Sequence, residues 1–408
     1  MSKNLKNYFL LAFSILPISI LIGPSVSLIN ILLIDISFLI MIIYFKNYSF
    51  LKNNALKFFL IFYIYLIINS LISIDPTLGL FRNLGFLRII IFFVAINYFF
   101  QDKIFLKKVL LVWLLIISVV ILDVFFENYT GKNIFGFESK IYGRNVSFFK
   151  DEHIVGGYLY GFSFILLGYL FDNYKLNNKY LILFFSIAIF SAIFFTGERT
   201  NSIKAFIGFV IFFFIILNLT FKKKLISSII GFIILISFIY SSDFLKYRYL
   251  DQIKAMYSGI NGNIYFKIYN SGFEVFKNHP ITGVGNKNYR VESCKNPDLG
   301  NNTYICTTHP HQIYVEFLSE HGVIGSFLLF YIFYKLIFSK IRTIYFTRNP
   351  INLGAMIYLI LIFLPVLPSG AFFSDYSLTF FAINISILYA TNSKLNLFLK
   401  RVDNKNVT

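Results

Sequence analysis

The chain has 408 residues, of which 57% are hydrophobic and only 14% charged, and its mean hydropathy is +0.70. That balance excludes a water-soluble globular enzyme and a disordered chain, and leaves a polytopic membrane protein. The formal net charge of +18 invites a nucleic-acid reading, which the placement of the charges decides against.

Apolar runs long enough to cross about 30 Å of hydrocarbon lie at 8–22, 27–45, 58–74, 87–100, 109–126, 154–171, 180–196, 203–219, 225–241, 313–337, 353–367 and 376–391. They predict an all-α membrane protein of about twelve transmembrane helices. Basic residues after Met1 followed by an apolar run mimic a secretory signal, but no small-residue cleavage site follows, so the run is expected to be a retained first helix.

Short cytoplasmic loops collect lysine and arginine. With the N-terminus inside, the cytoplasmic segments are that terminus, 46–57, 101–108, 172–179, 220–224, 335–352 and the tail from 392. They hold 21 of the 37 basic residues and 3 of the 19 acids, which leaves the rest of the chain neutral, with 16 of each. The basic balance is therefore a topology signal, and no nucleic-acid partner is expected. Both termini fall on the cytoplasmic side. The chain divides into 1–241, nine spans with a smaller outer loop at 127–153; 242–312, a large outer loop; and 313–408, three further spans and the tail. Function is expected on the outer loops.

In chain order, Asp35 lies deep in the second span, where an acid marks a functional site or a hydrogen bond to a neighbouring helix. The smaller outer loop carries Arg144, Lys150, Asp151, Glu152 and His153 before Gly156-Gly157. Glu152 orients a histidine, pairs with an arginine, or begins a helix where an acid suits the dipole. Arg199, in Thr196-Gly197-Glu198-Arg199-Thr200-Asn201, sits in a short outer connection at the edge of hydrocarbon. It pairs with Glu198 or holds an anionic ligand such as a diphosphate, which the guanidinium fork suits.

In the large loop, Leu245, Tyr249, Ile253, Met256 and Tyr257 recur at helical spacing, with Lys246, Arg248, Asp251 and Lys254 between them. Ile264, Ile268, Gly272, Val275 and Phe276 form a second such stretch, ended by Asn278-His279-Pro280. These helices lie along the membrane interface or pack on each other above the helix ends. Next comes Gly283-Val284-Gly285-Asn286-Lys287-Asn288-Tyr289-Arg290. This glycine turn lacks the strand and third glycine of a dinucleotide site, yet brings Lys287 and Arg290 toward one anionic group.

Cys294 and Cys306, the only cysteines, bracket Asn296-Pro297-Asp298 and Gly300. In an oxidising compartment they invite a disulfide, which would remove roughly 3 kcal/mol of unfolded-chain entropy and pin the segment that delivers His309 and His311. The rival is a metal site with those histidines, for which the short paired ligand spacing of structural zinc is missing. No metal is expected. His311, placed at the first turn of the returning helix, is a candidate general base, since an unperturbed imidazole titrates at about 6.5; a cap or packing role is the alternative. His309 orients its neighbour or faces solvent. His321 before Gly322 marks a helix break or a mid-span polar contact.

The run Asn278-His279-Pro280-Ile281-Thr282-Gly283-Val284-Gly285, then Tyr289-Arg290, Cys306, His309-Pro310-His311-Gln312-Ile313-Tyr314 and Glu320-His321-Gly322-Val323-Ile324-Gly325 resembles the signature of the O-antigen ligase and O-antigen polymerase superfamily. Thr196-Gly197-Glu198-Arg199 resembles its arginine-bearing turn, and Ser147-Phe148-Phe149-Lys150-Asp151-Glu152-His153-Ile154-Val155-Gly156-Gly157-Tyr158-Leu159 its outer loop. The resemblance is collinear from about 135 to 325. It implies a GT-C-like, metal-independent membrane glycosyltransferase without cofactors, working on the periplasmic face of a bacterial inner membrane. Its donor would be an undecaprenyl-diphosphate-linked glycan, and its acceptor lipid A–core oligosaccharide for a ligase or a lipid-linked repeat for a polymerase; ligase is the favoured reading. A lipid-linked oligosaccharide flippase is the rival from another class. By this resemblance His311 is the general base and Arg199 binds the diphosphate; the residues themselves add Arg290, His309, Arg144, Glu152 and Lys287 as further substrate-binding candidates. Two departures stand out: Gln312 where asparagine is commoner, and no arginine within 259–264. Arg290, Lys267 or Arg144 is then left to supply a second guanidinium.

Overall fold

A computed structural model describes residues 2–174, 179–258, 264–295 and 305–399. The stretch 259–263 and the loop residues Asn296, Pro297, Asp298 and Gly300 lie outside them. The described residues contain helices and no strand. Each of the twelve apolar runs falls largely within a helix. Eight described helices are long and apolar enough to cross a membrane, or nine when Lys3–Ser14 and Leu16–Ile22, bent by 42°, count as one. Lys179–Phe195, Pro350–Leu361 and Asp375–Ala390 are shorter.

Lipid tails are as apolar as the side chains they would replace, so helices in a bilayer associate through close packing and buried hydrogen bonds. Both are present. Pro350–Leu361 packs on Val155–Tyr174 through facing glycines, where a Cβ on Gly354 would stand 2.0 Å from the Phe164 carbonyl oxygen and one on Gly168 2.4 Å from that of Pro350. The Trp113 indole donates to the Phe13 carbonyl at 2.8 Å, and the Asn384 amide to that of Gly161 at 3.1 Å.

The two ends of the bundle are chemically distinct. At one end Lys6 pairs with Asp102 at 2.6 Å, Lys107 donates to Asn173 at 3.2 Å and Arg348 to Asn218 at 3.3 Å. These contacts join the lysine-rich segments. At the other end Asn145 N–H meets the Thr196 carbonyl at 3.2 Å, Ser369 N–H meets that of His311 at 2.8 Å, and the Tyr376 hydroxyl donates to that of Ile154 at 2.8 Å. Here both long loops converge.

One docking fixes the large loop. Gly322 breaks the helix Ile313–Leu336 with φ 62° and ψ −167°, and the freed groups are satisfied by the Pro280–Gly285 turn. Val284 and Gly285 N–H donate to the Ser319 and Glu320 carbonyls at 3.0 and 2.9 Å, while Val323 and Ile324 N–H donate to those of Pro280 and Ile281 at 2.8 and 3.2 Å. The approach is tight enough that a Cβ on Gly322 would lie 2.4 Å from the Ile281 oxygen. Glycine is required at φ of this sign. His321, fully buried, places Nδ1 3.0 Å from the Tyr65 hydroxyl, so this position is both helix break and polar contact. Asn69 completes the dock, accepting from Asn286 N–H at 2.8 Å. The helix Ile264–Asn278 packs on Ile313–Leu336 rather than standing apart, with Gly272 against Val315.

Candidate functional site

Two cavities open at the end where the long loops meet. The larger, about 1070 Å³, is lined by Arg144, Arg199, Arg248, Lys204, Glu152 and His311, over an apolar wall that includes Phe266, Phe273, Tyr358 and Phe380. The smaller, about 510 Å³, is lined by Lys287, Arg290 and His309 together with Arg82. The structure thus divides the candidates that the sequence offered as one set.

Glu198 lies in the arginine-lined wall. Its carboxylate accepts from Gly156 and Gly157 N–H at 2.6 and 3.0 Å and from the Asn201 amide at 2.6 Å, so it closes the N-terminus of Val155–Tyr174, where an acid is favoured. Burial raises its pKa, opposed by the Arg144 charge. Arg144 donates to the His153 carbonyl at 2.7 Å, while its Nε is buried without a hydrogen-bond partner among the described residues. Arg248 sits in a wide turn, Tyr247–Asp251, and donates from Nε to the Gly197 carbonyl at 2.7 Å and from Nη1 to Gln252. Burial, then the charges of Arg199 and Arg144, bring its pKa down to about 10. Arg144 is lowered by burial too, and His153 by burial and then by Arg144 and Arg248. Three guanidiniums are therefore held close enough to repel one another, an arrangement that an anion relieves. Lys204, 6% exposed in the helix Arg199–Ile216, adds a cation deeper along the same wall.

His311 does not occupy the first helical turn. Gln312 is the N-cap of Ile313–Leu336, its Oε1 accepting from Val315 N–H at 2.9 Å, and His311 precedes it with φ 53°. The cap needs a side-chain carbonyl, which asparagine and glutamine share. The strained backbone turns the imidazole toward Tyr265, ring centroids 6.1 Å apart. Burial lowers its pKa, so near neutrality the ring is an unprotonated base. His309 stacks beside it at 4.0 Å and is brought down to about 4 by burial, then by His311 and Lys287.

Cys294 and Cys306 are joined in a disulfide, which removes their sulfurs from the alternative metal set. It ties the short helix Tyr289–Ser293, which carries Arg290, to the segment leading into His309. Lys267 lines neither cavity. Asp35 is buried in Pro24–Phe45, neither oxygen hydrogen-bonded among the described residues. Sequence reasoning passed over Arg248 as a polar residue on a helix face, and it passed over Lys204, Tyr265 and Arg82. For Arg248 the only signal was its place opposite the apolar stripe.

The described residues form a helical membrane protein with a cationic, histidine-bearing chamber at one end of its bundle. Residues 183–331 match the family model described as O-antigen ligase, and over that stretch the chain is similar to this family. The match spans Arg199, Arg248, Arg290, both cysteines, the histidine pair and Gly322, and supports a ligase or polymerase type of function in the broad sense. No curated protein sequence matches the chain.

Proposed function

We propose that this chain is a membrane glycosyltransferase of the O-antigen ligase type, moving a glycan from undecaprenyl diphosphate onto lipid A–core oligosaccharide at the periplasmic face of the inner membrane. The observation that carries the reading is the larger chamber, where three arginines and the His311 imidazole line one space over an apolar wall. In this reading the shorter helices complete twelve crossings, and the lysine-rich end is cytoplasmic, as its basic segments require.

The donor diphosphate lies against Arg199, Arg248 and Arg144, and its polyprenyl chain follows the aromatic wall toward the bilayer. His311 accepts the proton of the acceptor hydroxyl. The hydroxyl oxygen attacks the anomeric carbon, the bond from that carbon to the diphosphate oxygen breaks, and the lipid diphosphate leaves with the electron pair. Charge grows on that oxygen in the transition state, where fixed cations in a site of low polarity act most strongly.

Purified protein in lipid nanodiscs, supplied with a lipid-linked glycan and a choice of lipid A–core or lipid-linked acceptor, tests this directly. Transfer onto lipid A–core is expected. Extension of the lipid-linked acceptor alone would make the protein a polymerase, and no transfer to either would leave the reading without support.

A further inference from the structure

The smaller cavity adjoins the larger one and is lined chiefly by basic and hydroxyl side chains. Arg82, Lys287 and Arg290 line it together with Thr308, His309 and Ser374, and among the described residues no carboxylate lines it. The acids around it are held in its walls, one of them by Arg82, and none of them forms an ion pair with Lys287 or Arg290 among the described residues. Asp375 receives Arg82 at 2.7 Å and Arg88 at 2.6 Å, and Asp75 accepts from Thr77 N–H at 2.9 Å. Glu316 accepts from Phe372 N–H at 3.0 Å, and Glu320 takes Tyr289 N–H at 3.4 Å. Lys287 is held at φ 67°, a backbone state a long side chain rarely adopts, and such strain collects at functional positions.

The recess meets the arginine chamber at the histidines. Ser374 lines both cavities, His309 the smaller and His311 the larger, with their rings 4.0 Å apart. His309 bonds Thr308 through Nδ1 at 3.0 Å, while its Nε2 is buried with no hydrogen-bond partner among the described residues. The two walls of the recess are linked covalently, since the Cys294–Cys306 bridge joins the Arg290 helix to the Thr308–His309 segment.

Resting on the glycosyl-transfer reading, we propose that this recess is an acceptor subsite for a glycan bearing an anionic substituent, phosphate or carboxylate, which Arg290 and Lys287 hold while the hydroxyl to be glycosylated reaches His311 where the two cavities meet. Donor diphosphate and acceptor anion then occupy different cation clusters on either side of the base. Such a division keeps two anionic substrates apart while bringing their reacting atoms together. The volume suits a sugar-sized ligand, and the polar recess lacks the aromatic wall that suits the donor's lipid.

Two measurements test it. First, binding of soluble probes, a hexose 6-phosphate and a hexuronate, is followed by calorimetry with wild type, Arg290→Gln and Lys287→Gln. Saturable binding to wild type, weakened about tenfold in Arg290→Gln, is expected, and the probe bound more tightly distinguishes phosphate from carboxylate. Absence of saturable binding to wild type overturns the subsite whether or not transfer occurs. Second, transfer is compared between acceptor glycans with and without the charged substituent. Arg290→Gln should lower the preference for the charged acceptor over the neutral one about tenfold, expressed in the acceptor KM. Equal losses with both acceptors, or a loss expressed in the donor KM, would assign Arg290 to the donor and overturn the proposal. Failure of wild type to transfer at all would instead sink the glycosyl-transfer reading, leaving the probe binding to decide the anion site by itself.

Discussion

Arg248→Gln is the most informative single change to the arginine wall, because it removes one charge and one fork while leaving the other two guanidiniums in place. A charge-assisted hydrogen bond contributes about 1.5–3 kcal/mol. The Arg248 site has two features that bear on this figure. Its guanidinium is held by Gly197 and Gln252, so little rotamer freedom is lost on binding. Its pKa is brought to about 10 by burial and by Arg199 and Arg144, so an anion between them relieves repulsion as well as adding attraction. Taking about 2 kcal/mol, undecaprenyl diphosphate should bind about 30-fold more weakly to the variant. Arg248→Lys, which keeps the charge without the planar fork, should fall between the two. The assay is calorimetric titration of the lipid diphosphate into nanodisc-embedded protein, with thermal melting to show that the variant is folded. A folded Arg248→Gln protein whose affinity stays within about twofold of wild type would refute the placement of the diphosphate on this wall.

Other expectations follow from the same geometry. Gly322→Ala forces a Cβ to 2.4 Å from the Ile281 oxygen at φ 62°, so thermal melting should reveal a loss of about 3 kcal/mol or more; an unchanged melting temperature would show that the turn does not dock there. Replacing Cys294 and Cys306 with serine opens a bridge between residues 12 apart in sequence and should cost about 3 kcal/mol of stability, visible as a lower melting temperature that reductant reproduces in wild type. Burial lowers the His311 pKa, so the unprotonated base persists below its ordinary value of 6.5. The pH profile of kcat/KM should therefore have an acid limb with its midpoint under 6.5, and a midpoint above that value would place the titrating base elsewhere.

Much of this architecture is legible in the chain because membrane helices must be long and apolar, and each of the twelve runs falls largely within a helix. The segregation of basic segments to one end is equally readable, since charge placement is a property of loops rather than of packing. The site was legible only in part. His311, Arg199 and Arg144 lie in one chamber, yet Arg248, from a fourth segment, became a site residue only once the fold brought its turn against Gly197. Spacing along the chain also gave no way to separate Lys287, Arg290 and His309 from the arginine wall, because the division depends on how the histidine pair is inserted between the cavities. The Gly283 and Gly322 positions were visible as turn and break. That each satisfies the backbone groups freed by the other is a tertiary fact.

Single-turnover transfer with His311→Ala decides whether His311 takes the acceptor's proton beside a cationic wall that holds the donor. With lipid-linked glycan prebound, the account predicts donor binding equal to that of wild type and transfer reduced by at least about 100-fold, the usual contribution of a general base. Transfer at the wild-type rate by the folded variant would contradict it.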